Sequence, residues 1–276
     1  MKFRPAKKEF SLDDLPETRG KQFLDFFKTR PLLFLQIGLL LLLFAIPFLA
    51  TFLIKYYGIL LPASKTMEGD EYISFFKTTT LVFDAFYILS FFFLFLSLSG
   101  LGRIIRQWAW GEGIYFWHDF KKGIKQNIRS YSLYWIAFSL LFFLSDLLSL
   151  LLSNRIVSYF LTGFLLLFLP LIMMGMSQSL FYTNSFGKTL SNSFFYCLKK
   201  PLITFVFLLL SYAILCLTLI NQIMIEALCF LFLFLLILPL FICGWHQFSL
   251  SIFDEYTNKE FYPNIYQKGL RGEFLK

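Results

Sequence analysis

Residues Gly100–Arg129 read GLGRIIRQWAWGEGIYFWHDFKKGIKQNIR, the longest polar interval between two long apolar runs of the chain. Phe116, Phe120, Ile124 and Ile128 recur every four residues and make one apolar stripe on a helix. Lys121, Lys125 and Arg129 fall on a neighbouring basic stripe. Trp108, Trp110, Tyr115 and Trp117 flank it, and Trp and Tyr favour the headgroup region. The spacing predicts an amphipathic helix lying in the membrane plane, entered through a turn at Gly111 and Gly113. Gly123 should weaken that helix by about 1 kcal/mol. Trp108, Trp110, Trp117, Lys121, Lys122, Lys125 and Arg129 are therefore the candidate docking or lipid-interface residues.

Composition sets the environment. The chain is 58% apolar and 15% charged, with a mean hydropathy of +0.67. A soluble domain averages about 25% charged residues, so too few polar side chains are present to cover a soluble surface. The reading is an integral, all-α membrane protein. Cys197, Cys216, Cys229 and Cys243 form no Cys-x-x-Cys pair, and neither a disulfide framework nor a zinc site is implied.

A span needs about 20 mostly apolar residues. Runs at about 31–54, 80–101, 131–152, 157–178, 201–220 and 227–247 predict six transmembrane helices. They lie between a basic N-terminal segment, 1–30, and a C-terminal tail, 252–276, with the membrane domain over 31–251. Of the 25 Lys and Arg, all but Lys55, Lys65, Lys77 and Arg155 fall in the two termini and in the connections after spans two and four. The positive-inside rule then places both termini in the cytoplasm. The net charge of +8 follows from this asymmetry and from attraction to anionic lipid, and no nucleic-acid partner is implied.

The pattern around the opening stretch recurs. Span four ends LPLIMMGMSQ and span six ends LPLFICGWHQ, so Pro170, Gly175 and Gln178 match Pro239, Gly244 and Gln247. KTRPLLF at Lys28–Phe34 resembles LKKPLIT at Leu198–Thr204. Phe186, Leu190, Phe194 and Leu198 repeat the apolar stripe. Together these predict three parallel units, each an amphipathic helix followed by two spans. Transporters are often built from such repeats, and hairpin duplication also serves simple bundle construction. Pro47, Pro170 and Pro239 lie inside spans, where proline usually kinks a helix.

Chemistry is sparse. The sequence lacks a Walker-type phosphate loop, a His-Glu-x-x-His and a Gly-x-Ser-x-Gly, and no catalytic residue or cofactor is assigned. His118 and His246 have no acidic or Cys partner at metal-binding spacing. The intramembrane ionisable residues are Asp84 and Asp146, both toward the outer side. One reading is an external polar vestibule with Asn221, Gln222 and Glu226, and the other is simple contact with water or Arg155. The outer interval Lys55–Thr79 is the only external connection long enough to fold over a mouth or meet a partner.

A span ending in small residues, followed by WGEG and FWHDFKKGIKQN, resembles the YesL-type (DUF624) bacterial membrane proteins over roughly Gly100 to Leu141. That resemblance implies a protein of the bacterial cytoplasmic membrane, without catalytic residues, that assists carbohydrate ABC importers. Two expectations follow. One is a non-enzymatic accessory subunit of a larger, transport-related membrane complex. The other is a self-sufficient transporter or channel for a small or lipid-like solute.

Overall fold

Proline marks where this chain ends one helix and begins the next. The residue before a proline is pushed out of the helical region, while proline itself suits the first turn of a helix. Arg30 and Lys200 both show this, at φ −138°, ψ 51° and φ −130°, ψ 61°. In the computed structural model, which describes residues 15–152, 155–216 and 222–274, α1 (Arg19–Thr29) accordingly stops before α2 (Pro31–Leu53). The two later copies of this junction differ from each other. The third, α7 (Phe186–Lys199) into α8 (Pro201–Cys216), bends by 101°. The central junction is Arg129–Ser130–Tyr131, with no proline. There α5 runs unbroken from Phe116 to Leu152. The separate in-plane helix expected over 116–129 is corrected: those residues are the opening turns of a 37-residue helix.

The outer connection is corrected too. A π-helical stretch, Ile54–Leu60, carries α2 into α3 (Leu61–Thr66), and α4 spans Gly69–Ala109. Instead of a long interval from Lys55 to Thr79, only Met67 and Glu68 separate two helical ends. Asp70 and Glu71 sit in the first turn of α4, where the helix dipole favours anions. The remaining elements are α6 (Arg155–Phe181), α9 (Ile223–Phe232), a second π stretch at Leu233–Ile237, α10 (Leu238–Phe253), a third π stretch at Asp254–Asn258, α11 (Lys259–Phe261) and a 3-10 turn at Arg271–Glu273. Among the described residues there is no strand.

Among the described residues, four stretches are long and apolar enough to cross a membrane: Pro31–Thr66, Gly69–Ala109, Phe116–Leu148 and Ile223–Phe261. The bent pair α7–α8 makes a fifth if counted as one span, and α6 holds a shorter apolar stretch, Leu167–Phe181. Leu39, Leu43, Phe86, Leu89, Leu140 and Leu202 are each more than half exposed. Soluble surfaces rarely leave so much contiguous apolar area uncovered, so the helices are membrane-embedded. At ~1.5 Å per residue α4 is about 60 Å long, roughly twice the hydrocarbon core, and it extends past that core.

Small residues let the helices touch. A Cβ on Gly123 would lie 2.6 Å from the Gly100 carbonyl oxygen, and one on Gly100 would lie 2.3 Å from the Phe120 ring. The Gly123 that costs helix propensity thus allows α4 and α5 to cross backbone to backbone. A Cβ on Gly38 would meet the Leu235 carbonyl oxygen at 2.3 Å, so α2 seats directly on the π stretch ahead of Pro239. At the end of the bundle bearing α1, buried Arg19 donates to Asp254 Oδ2 (2.9 Å), Gln22 Oε1 (3.0 Å), and the carbonyls of Ala109 (3.1 Å) and Lys268 (3.0 Å). Burial pulls the guanidinium down from its ordinary value and Asp254 offsets this. Starting from so high a value, it stays charged near neutral pH. The 252–276 tail is therefore no free appendage, since its helix runs on to Phe261 and its later residues pack onto α1 and the end of α4.

Candidate functional site

α2, α4, α5, α6 and the α9–α10 rod line a half-open cavity of about 740 Å³. The helices that build it are rich in Phe because lipid-embedded interfaces gain from packing, and rings meet edge to face. Phe91 stands 5.1 Å from Phe138 and 5.2 Å from Phe142, both near perpendicular. Phe48, Phe52, Phe95, Phe230 and Phe234 add to the wall. Tyr131 and Asp146 both line it, so on α5 it extends over about 22 Å at ~1.5 Å per residue. Its volume and apolar character are those of a small-molecule site with few, localised polar groups.

The charged groups among them gather at one end. Lys55, Tyr56, Ser145 and Asp146 line the cavity there. Lys55 is nearly buried, with Nζ 5.5 Å from the Tyr56 ring centroid and 5.3 Å from that of Tyr87. The charges of Asp84 and Asp146 act on Lys55 and on each other. Asp84 lies behind the wall, fully buried, and neither of its carboxylate oxygens has a hydrogen-bond partner among the described residues. Glu226, also buried, accepts a hydrogen bond from the Tyr57 hydroxyl. Asp84 and Asp146 are thus brought together, with Glu226 nearby. Gln222 is exposed. Asn221 lies outside the described residues, as do residues 1–14, 217–220 and the side chains of Arg155 and Cys216.

Lys55 is the residue that reading the sequence missed. It stands one position beyond the first apolar run, and so counts there as a loop charge. The π stretch Ile54–Leu60 keeps the chain helical and turns Lys55 inward. The adjacent YY pair, two aromatics beside a lone Lys, is the only local signal.

The far end of the cavity holds Tyr131, Trp245 and His246. His246 Nδ1 and Ser177 Oγ are 3.0 Å apart. Ser177 has no exposure at all and does not line the cavity, so the pair joins α6 to α10 and offers no nucleophile to a ligand. Among the described residues no group of three His, Cys, Asp or Glu is placed to hold a metal ion.

The candidate interface residues divide. Trp117, Lys121, Lys122, Lys125 and Arg129 are exposed along the outer side of α5. Trp108 is corrected to a core residue, its ring centroid 4.3 Å from that of buried Phe26. Trp110 is likewise engaged internally, 4.1 Å from Lys268 Nζ and 5.6 Å from Phe181. α1 covers Trp108, while Trp110 stays half-buried beside the C-terminal segment.

The repeat positions also diverge. Gln178 donates to Ser193 Oγ (2.7 Å) and to the Thr189 carbonyl (3.2 Å), whereas Gln247 is buried with no side-chain partner among the described residues. A Cβ on Gly175 would fall 2.7 Å from the Tyr134 hydroxyl, but one on Gly244 would find nothing closer than Phe23 at 3.7 Å. Pro170 stands within α6, while Pro239 opens α10 directly after a π stretch. Comparison with family models, curated proteins and solved structures gives no match for this chain.

Proposed function

We propose that this protein binds a lipid-like amphiphile inside the membrane and moves it between the bilayer and the outer surface, the transporter reading of its sequence. The observation that carries this is the cavity itself: a long aromatic-walled chamber whose formally charged lining residues, Lys55 and Asp146, both lie at one end. A hydrophilic solute would leave most of its polar groups unpaired against Phe, at a cost of roughly 2–7 kcal/mol each. An amphiphile matches both parts.

In the same proposal the chain crosses the bacterial cytoplasmic membrane six times with both termini inside, which sets the polar end of the cavity toward the exterior. Six spans arise if α6 and α8 each cross. The three-unit repeat is supported by Ser177 and His246, which occupy equivalent positions of units two and three and bond to each other across α6 and α10. In this reading the role is non-enzymatic, since moving an amphiphile makes and breaks no covalent bond, and YesL-type membership remains part of this proposal on the Gly100–Leu141 resemblance alone.

The test is extraction of bound molecules from protein purified in mild detergent, followed by mass spectrometry. A near-stoichiometric amphiphile in the parent, lost in Leu94→Trp, which fills the cavity, is the expected result. Equal retention by both would remove the cavity from the function. The second reading, an accessory subunit of a transport complex such as an ABC importer, is favoured by the exposed strip of Trp117, Lys121, Lys122, Lys125 and Arg129. It predicts a stoichiometric membrane-protein partner crosslinked through those lysines.

A further inference from the structure

We propose that the occupant of the cavity carries a cationic head, an amine or quaternary ammonium, and that Lys55 is a tethered cation holding its place; this rests on the amphiphile reading above.

Three features at the polar end point the same way. At formal charges and among the described residues, Asp84 and Asp146 face one cation, Lys55, and these two carboxylates act together with Glu226 on Tyr56. An anionic head would add a fourth negative charge to a low-dielectric cluster already in excess, whereas a cation reduces the excess. Next, Lys55 Nζ lies over the faces of Tyr56 and Tyr87, at 5.5 and 5.3 Å from their centroids. Ring faces attract cations, and paired aromatics beside carboxylates are the chemistry that recognises ammonium ligands. Finally, Asp84 is wholly buried against Asp146, and among the described residues no donor lies within hydrogen-bond distance of either of its oxygens. Such a carboxylate is costly unless a positive charge or a proton reaches it. Lys55 supplies part of that charge, but from a flexible four-carbon stem, set on a π-helical stretch of the kind found at functional sites.

The geometry therefore describes an exchange. Without ligand, the Lys55 ammonium occupies the ring faces and balances part of the carboxylate charge. A ligand ammonium entering with its apolar body along the Phe wall takes over both contacts, and Lys55 withdraws. Asp146 lines the cavity and meets the ligand cation directly. Asp84, behind it, sets the field.

The experiment uses the full chain in phosphatidylcholine nanodiscs and two probes of matched shape, tetraphenylphosphonium and tetraphenylborate. Saturable binding is measured above that of empty discs. The expected result is saturable binding of the phosphonium, tightened about tenfold in Lys55→Met and weakened at least tenfold in Asp146→Asn. Glu226→Gln provides a second charge-removing variant should Asp146→Asn fail to fold, and it too is expected to weaken the phosphonium. Saturable binding of the borate, lost in Lys55→Met and kept in Asp146→Asn, would overturn the cationic assignment while leaving the amphiphile cavity intact. Saturable binding of neither probe, or binding unchanged by Leu94→Trp, would overturn the cavity reading and the cationic assignment with it.

Discussion

Gly123 shows how a residue that looks like a helix defect can be the reason two helices meet. Alanine there would gain about 1 kcal/mol of helix propensity. Its Cβ would also sit 2.6 Å from the Gly100 oxygen and 2.9 Å from Arg103 Cβ. The first neighbour is backbone and cannot swing aside, and overpacking of this kind costs about 1–3 kcal/mol. The steric term is the larger. Gly123→Ala and Gly100→Ala should therefore lower the thermal midpoint in detergent, read by fluorescence-detected size exclusion after heating. Gly244→Ala is the control: with Phe23 no closer than 3.7 Å, it should leave the midpoint unchanged or raise it slightly. A rise in Gly123→Ala would mean the two helices do not cross where described. Sequence alone could not rank these glycines, because the repeat made Gly175 and Gly244 equivalent. What separates them is the neighbour, Tyr134 in one case and open packing in the other.

At the scale of elements, the period of an apolar stripe was legible and its direction was not. In α5 the stripe turns inward: Phe120 is buried under Gly100, and Lys121, Lys122 and Lys125 face out. In α7 the matching stripe turns outward. Leu190, Phe194 and Leu198 are exposed, while Thr189, Ser193, Tyr196 and Cys197 are buried and Gln178 bonds to Ser193. A helix that hides its hydroxyls and shows its Phe is solvated by lipid, not water. We expect a bimane label at position 194 to be quenched by shallow doxyl-labelled lipid, and one at position 122 to be quenched only by aqueous iodide. Quenching of both by iodide alone would place α7 in water. The proline rule was similarly half-legible. Pro31 and Pro201 announced their breaks, and the absence of a proline at Ser130–Tyr131 announced an unbroken α5, which the repeat pattern obscured. Apolar run lengths located the helices but underestimated how long they are, because α4 continues as helix well beyond Thr80–Leu101.

At the scale of the molecule, two charged assemblies occupy opposite ends of the same helices and differ in how fully they are satisfied. Around Arg19, both charged partners are satisfied: Asp254 takes the guanidinium on Oδ2, and Oδ1 accepts from Asn258 Nδ2 (2.8 Å) and from the Gln267 backbone (3.2 Å). Around Lys55, carboxylates outnumber cations among the described residues, and neither Asp84 oxygen has a hydrogen-bond partner there. A buried network with every group paired fixes a structure, whereas a partly paired one is where ligands and protons act. This contrast gives the membrane crossing a functional direction, and the direction can be measured. α2–α3 and α4 meet at the Met67–Glu68 turn, and α4 and α5 meet at the opposite end, around Gly111. In a background with the four native cysteines replaced, a single cysteine at Asp70 should react with a membrane-impermeant maleimide on intact cells. One at Lys122 should react only after the membrane is opened. The reverse pattern would invert the orientation and turn the polar mouth of the cavity toward the cytoplasm. Labelling of both positions in intact cells would mean that α4 does not cross. Since α4 forms one wall of the cavity and carries Asp84, that outcome would also remove the chamber from the membrane.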